Sequence, residues 1–162
     1  MPLSLLSAHS QSPCRCLWFA VNFKVPESKL FSVEKIMTSP QEFVVAVVGA
    51  TGAVGEVMLS VLQERKFPIK KLIPLASERS AGKQVDFGNH KITVLDLATF
   101  DPAGVDIALF SAGGSTSKEY AAKFAAAGAI VIDNSSAFRS DDDVPLVVSE
   151  VNPDALDSIP RG

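Results

Sequence analysis

The sequence has 162 residues, of which 47% are hydrophobic, and this is enough to bury the core of one domain. Its formal net charge of -3 gives no general attraction to nucleic acid or to an anionic membrane surface. Both cysteines, Cys14 and Cys16, lie near the N-terminus, and their spacing suits neither a disulfide nor a complete metal site. We therefore expect no nucleic-acid partner, no membrane span and no metal.

Residues 1–40 show no sustained period of two or of about 3.6 residues, and we interpret them as an unstructured leader before a domain at 41–162. Their apolar segment, residues 16–25, is too short to span a bilayer. The leader is rich in serine and poor in acids, as organellar transit peptides are, although arginine is scarce. The interpretation that we favour is that translation starts at Met37, which predicts a cytoplasmic protein.

The most informative stretch is residues 43–55. A run of β-branched residues ends at Gly49, Gly52 and Gly55 follow at three-residue spacing, and an amphipathic helix is predicted over 56–66. A strand, a glycine turn and a helix in this order are typical of a loop that binds dinucleotide phosphates. Gly49 allows the tight turn, Gly52 lets a pyrophosphate approach the backbone and the positive end of the helix, and Gly55 lets the helix pack closely. A tight turn without a ligand is the alternative.

Extended and helical patterns alternate after this loop. Three further apolar runs predict strands, and one segment predicts a helix that Ser115 caps and Gly128 ends. This alternation predicts an α/β fold, a Rossmann-like, doubly wound and mostly parallel sheet. The predicted strands are 69–76, 105–110 and 129–132, and the predicted helix is 116–127.

Two details of the strand pattern are specific enough to test. Pro74 lies inside the second strand, where a proline indicates an edge or the end of a strand. Two short extended segments, 83–87 and 90–95, flank a Gly88–Asn89 pair. Such a pair between alternating segments predicts a tight hairpin turn.

The end of the second strand usually determines which dinucleotide binds. An acidic side chain there favours the ribose 2′-hydroxyl of NAD, whereas an arginine accepts the 2′-phosphate of NADP. Arg79 offers a forked cation, and Ser77 and Ser80 offer hydroxyl donors. Glu78 complicates the assignment, although a neighbouring side chain can point elsewhere. We predict NADP, with Arg79 as an ordinary surface charge as the alternative.

A second small-residue turn, Ser111, Ala112, Gly113 and Gly114, follows another predicted strand. Ligands of open α/β sheets bind at this edge, so small residues there would let a nicotinamide-ribose lie against the backbone. A helix start that needs glycine is the alternative. Residues 134–139 should lie beside this turn, and Arg139 could then bind an anionic substrate group.

Five segments of the sequence form an ordered set, namely 49–55, 76–82, 105–113, 133–139 and 144–153. Taken in this order, they resemble the N-terminal, NADP-binding part of bacterial aspartate-semialdehyde dehydrogenases. The resemblance begins at about Phe43 and continues to the end of the chain. It implies an acylating oxidoreductase that uses NADPH to reduce β-aspartyl phosphate to aspartate semialdehyde, a step toward lysine, threonine and methionine. It also implies that the full-length protein is a homodimer.

The same resemblance implies a role for individual residues. Residues of the first glycine loop would contact the coenzyme phosphates, and the end of the second strand would contact the 2′-phosphate. The second turn would border the nicotinamide, and one arginine would bind the phosphate of the acyl phosphate substrate. In that order these residues are Thr51, Gly52, Ala53 and Val54; Ser77, Arg79 and Ser80; Ser111, Ala112, Gly113 and Gly114; and Arg139. Gly49 and Gly55 complete the predicted coenzyme-binding loop through the turn and the helix packing.

The family's chemistry depends on a cysteine that attacks the acyl phosphate, because a thiolate is reactive near neutral pH and leaves readily. In relatives this cysteine follows the segment that resembles residues 144–160, and the sequence ends at Gly162 before reaching it. We therefore expect no catalytic residue in this chain and no activity from this fragment alone. Two alternatives stay open, a fragment of an N-acetyl-glutamyl-phosphate reductase and a non-catalytic nucleotide-binding module.

Overall fold

The structure is a computed structural model that describes residues 41–157. The predicted leader, the start at Met37 and the two cysteines lie outside the described residues. Within 41–157 no helix is long and apolar enough to cross a membrane. This range contains seven strands, two α-helices and two 3₁₀ helices. In chain order they are β1 (Phe43–Val48), α1 (Ala53–Glu64), β2 (Ile69–Ala76), a 3₁₀ helix (Glu78–Ser80), β3 (Gln84–Phe87), β4 (His90–Thr93), β5 (Leu95–Asp96), β6 (Ile107–Phe110), α2 (Gly114–Ala126), β7 (Ile130–Asp133) and a second 3₁₀ helix (Pro153–Asp157).

Five strands form one sheet in the order β5-β2-β1-β6-β7, and every neighbouring pair in it is parallel. The chain starts at the central strand β1 and builds outward through β2 to β5. It then returns to the other side of β1 and builds outward through β6 to β7. The predicted Rossmann-like, doubly wound and mostly parallel sheet is therefore confirmed. Its strand order reverses between β1 and β6, and this is the position at which open α/β sheets bind ligands.

Alternate residues of β1 face opposite sides of the sheet, as the period of a strand requires. Val45 and Val47 belong to a buried cluster that includes Leu59 of α1. Ala46 and Val48 belong to a second cluster that includes Phe124 of α2. Each helix therefore covers one face of the sheet, and the two clusters bury both faces of the central strand.

The position of Pro74 explains how β2 accommodates a proline. Leu75 accepts hydrogen bonds on the β1 side of the strand, from the N–H of Gly49 at 2.8 Å, whereas Ala76 accepts one on the β5 side, from the N–H of Leu97 at 2.9 Å. Pro74 points its nitrogen to the same side as Ala76 because groups alternate along a strand. The residues of β2 that pair with β5 begin at Leu75, so the backbone on this side of Pro74 has no strand partner among the described residues and forms an edge. The sequence prediction of an edge is confirmed.

The hairpin is also confirmed, because β3 and β4 are antiparallel and Phe87 pairs with His90, which leaves a two-residue turn. The second segment is shorter than predicted. It ends at Thr93, and the following residues Leu95–Asp96 form β5 in the main sheet. Val94, almost fully buried, separates the two sheets and exchanges backbone hydrogen bonds with Gly82 and Lys83.

Both helices start earlier than their patterns predicted. The helix predicted from residue 56 begins at Ala53. The helix that we expected Ser115 to cap begins at Gly114, with Gly113 as its N-cap residue and no side-chain hydrogen bond at the cap. The Ser115 prediction is therefore wrong. Gly113 has a φ of +91°, which a side chain would strain, so the backbone freedom of glycine sets the start of α2.

Candidate functional site

A cavity of about 560 Å³ lies at the carboxyl ends of β1, β2, β5 and β6. This volume falls within the range of pockets that hold small molecules, roughly 300–1,000 Å³. It lies at the position where the strand order reverses. Six residues that the sequence assigned to the coenzyme line it, namely Gly49, Thr51, Gly52, Ser77, Ser111 and Ala112.

Gly49 joins the two sides of this cavity. Its φ is +89°, so only glycine fits without strain. A Cβ atom at this position would lie 3.0 Å from the carbonyl carbon of Ser111 and 3.0 Å from the nitrogen of Ala112. The turn after β1 and the turn after β6 are therefore in backbone contact, and no side chain separates them.

The start of α1 is equally crowded. A Cβ atom on Gly55 would lie 2.1 Å from the carbonyl oxygen of Gly49 and 2.8 Å from the Cα of Ala50. Gly55 is needed because α1 starts directly against the end of β1, as the sequence predicted. Gly52 is different, since its Cβ would meet one atom, the Gly49 oxygen at 3.3 Å. The absence of a side chain at Gly52 therefore keeps space open in the cavity and matters less for the packing of α1 against β1.

Backbone N–H groups are what α1 offers to a ligand. Gly52 is the N-cap residue and makes no side-chain hydrogen bond, and its own N–H donates to the oxygen of Gly49 at 3.0 Å. The first intrahelical bond runs from the N–H of Glu56 to the oxygen of Gly52 at 2.9 Å. The N–H groups of Ala53 and Val54 therefore lie in the helix's first turn, where an anion can accept from them.

The end of β2 divides the residues that were predicted to contact a 2′-phosphate. Ser77 and Glu78 line the cavity. Arg79 and Ser80 lie in the adjacent 3₁₀ helix, where Arg79 is exposed, and neither belongs to the cavity lining. The acidic residue that complicated the sequence interpretation thus borders the cavity, whereas the arginine lies outside its lining.

Sequence reasoning missed one wall of the cavity, which Asp96, Leu97 and Ala98 form with Thr116 and Tyr120. Thr116 and Tyr120 are four residues apart and so share a face of α2. Hydrogen bonding to Glu119, then lost solvation and the negative charges of Glu119 and Asp96, raise the pKa of Tyr120. The alternation signal for this wall was weak because β5 contains two residues.

A smaller cavity of about 130 Å³ lies between Ser111, Gly113, Asn134 and Ser135. A Cβ atom on Gly114 would lie 3.7 Å from the Oγ of Ser136. The predicted proximity of the second turn to residues 134–139 is therefore confirmed. Arg139 is exposed at the end of that loop and lines neither cavity.

A hydrogen-bond network at the end of β7 holds this loop, and the sequence analysis did not identify it. The carboxylate of Asp133 accepts from the Oγ of Ser117 at 3.0 Å, from the N–H of Ser135 at 2.9 Å and from the Oγ of Ser135 at 2.7 Å. Ser117 lies on α2 and is fully buried. A serine inside a helix pattern gave no signal, because its partner lies 16 positions away.

Metal chemistry finds no support in the described part of the chain. Among residues 41–157 no group of three or more histidine, cysteine, aspartate or glutamate side chains could hold a metal ion. The arrangement is therefore one of backbone N–H groups, small residues and hydroxyls around a cavity at the reversal of strand order. These are the features with which a Rossmann-like sheet binds a dinucleotide.

Comparison with known proteins supports this interpretation. Residues 44–159 match the family described as semialdehyde dehydrogenase, NAD binding domain. An aspartate-semialdehyde dehydrogenase of Legionella pneumophila is 65% identical over 104 residues, which are 64% of this chain and 30% of that protein. One from Aquifex aeolicus is 60% identical over 111 residues, which are 68% of this chain and 33% of that protein. The chain thus spans about a third of the length of these curated relatives.

Solved structures agree with the sequence comparison. A crystal structure of aspartate semialdehyde dehydrogenase II from Vibrio cholerae, complexed with ASA, has a TM-score of 0.69 and 57% identity, and covers 71% of this chain and 38% of that one. An aspartate semialdehyde dehydrogenase with NADP from Candida albicans has a TM-score of 0.60 and 25% identity, and covers 72% of this chain and 36% of that one. This chain belongs to the semialdehyde dehydrogenase family, and residues 44–159 are its NAD-binding domain.

Proposed function

We propose that this chain binds NADP and is the coenzyme-binding part of an aspartate-semialdehyde dehydrogenase. The overall reaction consumes β-aspartyl phosphate, NADPH and a proton, and yields aspartate semialdehyde, phosphate and NADP⁺. The observation that carries the proposal is the contact of Gly49 with Ser111 and Ala112, which forms a side-chain-free floor at the reversal of strand order. The relatives named aspartate-semialdehyde dehydrogenase, at 53–65% identity, support the choice of substrate.

The residues present fit a dinucleotide. The uncapped start of α1 and the missing side chain of Gly52 leave room for a pyrophosphate against backbone N–H groups. Ser111 donates its hydroxyl hydrogen to the oxygen of Val48 at 3.1 Å. This bond turns the Ser111 side chain toward β1, so the side chain takes up little of the cavity. A bound NADPH supplies the hydride of the reaction. The contribution of this chain is to bind it, orient it and keep one side of it from water.

NADP rather than NAD is the coenzyme in this proposal. Arg79 lies in the 3₁₀ helix that follows Ser77, a residue of the cavity lining, and a guanidinium with adjacent hydroxyls suits a 2′-phosphate. Glu78 lines the cavity and would repel that phosphate if it faced it. The proposal therefore requires the Glu78 carboxylate to turn outward when NADP binds, and its 3₁₀ helix leaves that side chain exposed.

Arg139 is proposed to bind the phosphate group of the acyl phosphate. It is exposed at the end of the loop that starts beside Ser111, and Ser111 belongs to the turn proposed to border the nicotinamide. A planar guanidinium binds a phosphate through two parallel hydrogen bonds, which orients it as well as holds it. The proposal also takes the full-length enzyme to be a homodimer, as the family resemblance implies, and to be cytoplasmic, as a start at Met37 predicts.

A titration of the 162-residue chain with NADPH, followed by coenzyme fluorescence, tests the binding step. Gly52→Ala adds one methyl group to the cavity floor and meets one backbone atom in the protein, at 3.3 Å. We expect it to weaken NADPH binding at least tenfold, with little loss of stability. Gly88→Ala is the control, since Gly88 has a φ of +61° in the hairpin turn and its substitution strains the fold without adding an atom to the cavity. Equal NADPH affinity of the wild-type chain and Gly52→Ala would contradict the proposal.

A second titration compares coenzymes. Arg79→Ala should weaken NADPH binding about tenfold to a hundredfold, because a charge-assisted hydrogen bond is lost, and leave NADH binding within twofold. Lys83→Ala, which removes an exposed cation four residues away, should change neither affinity. An equal loss for NADPH and NADH would show that Arg79 does not bind the 2′-phosphate.

A further inference from the structure

The loop after β7 is held by a side chain where its backbone pairing ends. The N–H of Asn134 still donates to the oxygen of Phe110 at 3.0 Å, which continues the pairing of β7 with β6. The next bonds run through Asp133. Its carboxylate accepts from the N–H and the Oγ of Ser135, and the Oγ of Ser135 accepts from the N–H of Ala137 at 3.0 Å. The course of residues 135–137 is therefore set by one carboxylate.

The same carboxylate reaches across to the other wall. Its Oδ1 accepts from the Oγ of Ser117, which is fully buried on α2 one turn after Gly113. Ser117 donates its N–H to the oxygen of Gly113 at 3.1 Å. Asp133 thus fixes the spacing between the start of α2 and the loop 134–139, the two walls of the 130 Å³ cavity. Hydrogen bonds to an ionised acceptor are about twice as strong as neutral ones, so they suit this task.

Phe138 shows that packing alone does not account for the loop. Its ring packs against the buried cluster on the α2 side, so it anchors the far end of the loop directly before Arg139. Between Asn134 and Phe138, however, the bonds that fix the backbone are those that start at Asp133. With both ends anchored, removal of the middle bonds would let the loop change its course without unfolding the sheet.

We propose that Asp133, held by Ser117, is a positioning residue for Arg139. It acts through Ser135, and it fixes the loop so that the guanidinium of Arg139 stands at the angle required to bind a phosphate group. The inference deepens the proposed function and rests on it, because it concerns the phosphate-binding role of Arg139. It gives a function to the side chains of Asp133, Ser117 and Ser135, none of which belongs to the coenzyme-binding loop.

The test uses the 162-residue chain and inorganic phosphate as the probe, with binding followed by NMR titration. Ser135→Ala removes the Oγ that joins Asp133 to Ala137, whereas Ser135→Thr keeps it and adds a methyl group at a half-buried position. We expect Ser135→Ala to weaken phosphate binding about tenfold and Ser135→Thr to stay within twofold of the wild type. Ser117→Ala should weaken it about fivefold. Ser140→Ala, an exposed serine directly after the loop, should have no effect.

Two further readouts separate positioning from a general loss of structure. Amide hydrogen exchange should become faster at Ala137 in Ser135→Ala and return to normal in Ser135→Thr, while β1 and β6 keep their protection. NADPH affinity should stay within twofold in all variants, since the Gly49–Gly55 loop is untouched. A merely structural role would lower protection throughout the sheet and weaken both ligands together.

The outcomes are distinct. Phosphate binding that Arg139→Ala abolishes but Ser135→Ala leaves unchanged overturns the positioning role and leaves the proposed function intact. A Ser135→Thr variant as weak as Ser135→Ala overturns it as well. Failure of the wild-type chain to bind phosphate overturns the inference together with the role of Arg139, whereas failure to bind NADPH contradicts the proposed function itself.

Discussion

The site has two sides, the 560 Å³ cavity and the 130 Å³ cavity beside it, and they are built by opposite means. On the side of β1 and α1, the site exists because side chains are missing at Gly49, Gly52 and Gly55. On the side of α2 and β7, it exists because the side chains of Asp133 and Ser117 are bonded to each other. Added atoms damage the first side, and removed atoms damage the second. One small domain thus shapes its site both by leaving out side chains and by bonding side chains to each other.

The difference has a physical reason. A pyrophosphate is bound by backbone N–H groups, and these are reached only where no Cβ intervenes. A loop that ends in a long cation needs directional restraint, which a carboxylate with several acceptor sites provides. The two sides should therefore respond differently to the same kind of substitution, and this can be tested.

The largest effect is expected for Gly55→Ala. Its Cβ would lie 2.1 Å from the carbonyl oxygen of Gly49, and that atom belongs to a backbone that Ser111 and Ala112 hold from the other side. Overpacking against a fixed backbone should lower the free energy of unfolding by at least about 3 kcal/mol. Urea unfolding measures this. Gly52→Ala is the matched control on the same loop, and a similar loss in both variants would contradict the idea that Gly55 is the packing glycine.

The next effect is expected for Gly49→Ala. The φ of +89° strains any side chain, and the new methyl group would meet Ser111 and Ala112 at 3.0 Å. We expect a loss of about 2–3 kcal/mol in the free energy of unfolding, because backbone strain of this kind costs about 1–3 kcal/mol. Gly104→Ala separates strain from contact, since Gly104 has a φ of +80° and no atom within 4 Å of its Cβ position. Equal losses would mean that the contact between the two turns is unimportant.

Ser117→Ala tests the second side. The hydroxyl is fully buried, and its removal leaves an oxygen of Asp133 with one donor fewer. A fully buried acceptor that loses a partner costs about 1–3 kcal/mol, and Asp133 is only half-buried, so we expect a loss of about 1 kcal/mol in the free energy of unfolding. A double-mutant cycle with Asp133→Ala should show that the two losses are not additive. Additive losses would show that the bond between them contributes nothing.

The sequence was sufficient for the parts of the molecule that depend on missing side chains or on regular alternation. Gly49, Gly52 and Gly55 were recognisable because a strand ran into them and a helix followed. Pro74 indicated an edge because it lacks an N–H group, and the structure puts the paired residues of β5 one position later. Such features are local, so they can be read from neighbouring residues.

Features that depend on partners distant in the sequence could not be predicted. Ser115 resembled a helix cap, but Gly113 takes that position because its φ of +91° allows the turn out of β6. Ser117 and Asp133 are 16 positions apart, and their hydrogen bond exists because α2 packs beside β7. The wall that contains Tyr120 was missed because β5, which brings Asp96 to it, contains only two residues and gives a weak alternation signal. The roles of Arg79 and Arg139 stay predictions, since both are exposed and a ligand is needed to define what they bind.

The smallest effect on stability is expected for Asp86→Asn, which removes an exposed charge from the β3–β4 hairpin. Its carboxylate lies 3.5 Å from the Nζ of Lys91, and the two side chains are 77% and 67% exposed. Because solvent screens such a pair, its loss should change the free energy of unfolding by less than about 0.5 kcal/mol. The hairpin is also attached to α1 by the N–H of Gly88, which donates to the Oε1 of Gln63 at 2.9 Å. Thermal unfolding at low and high salt checks this. A salt-dependent loss as large as that of Ser117→Ala would show that exposed charge, and not only backbone contact, supports the first side of the site.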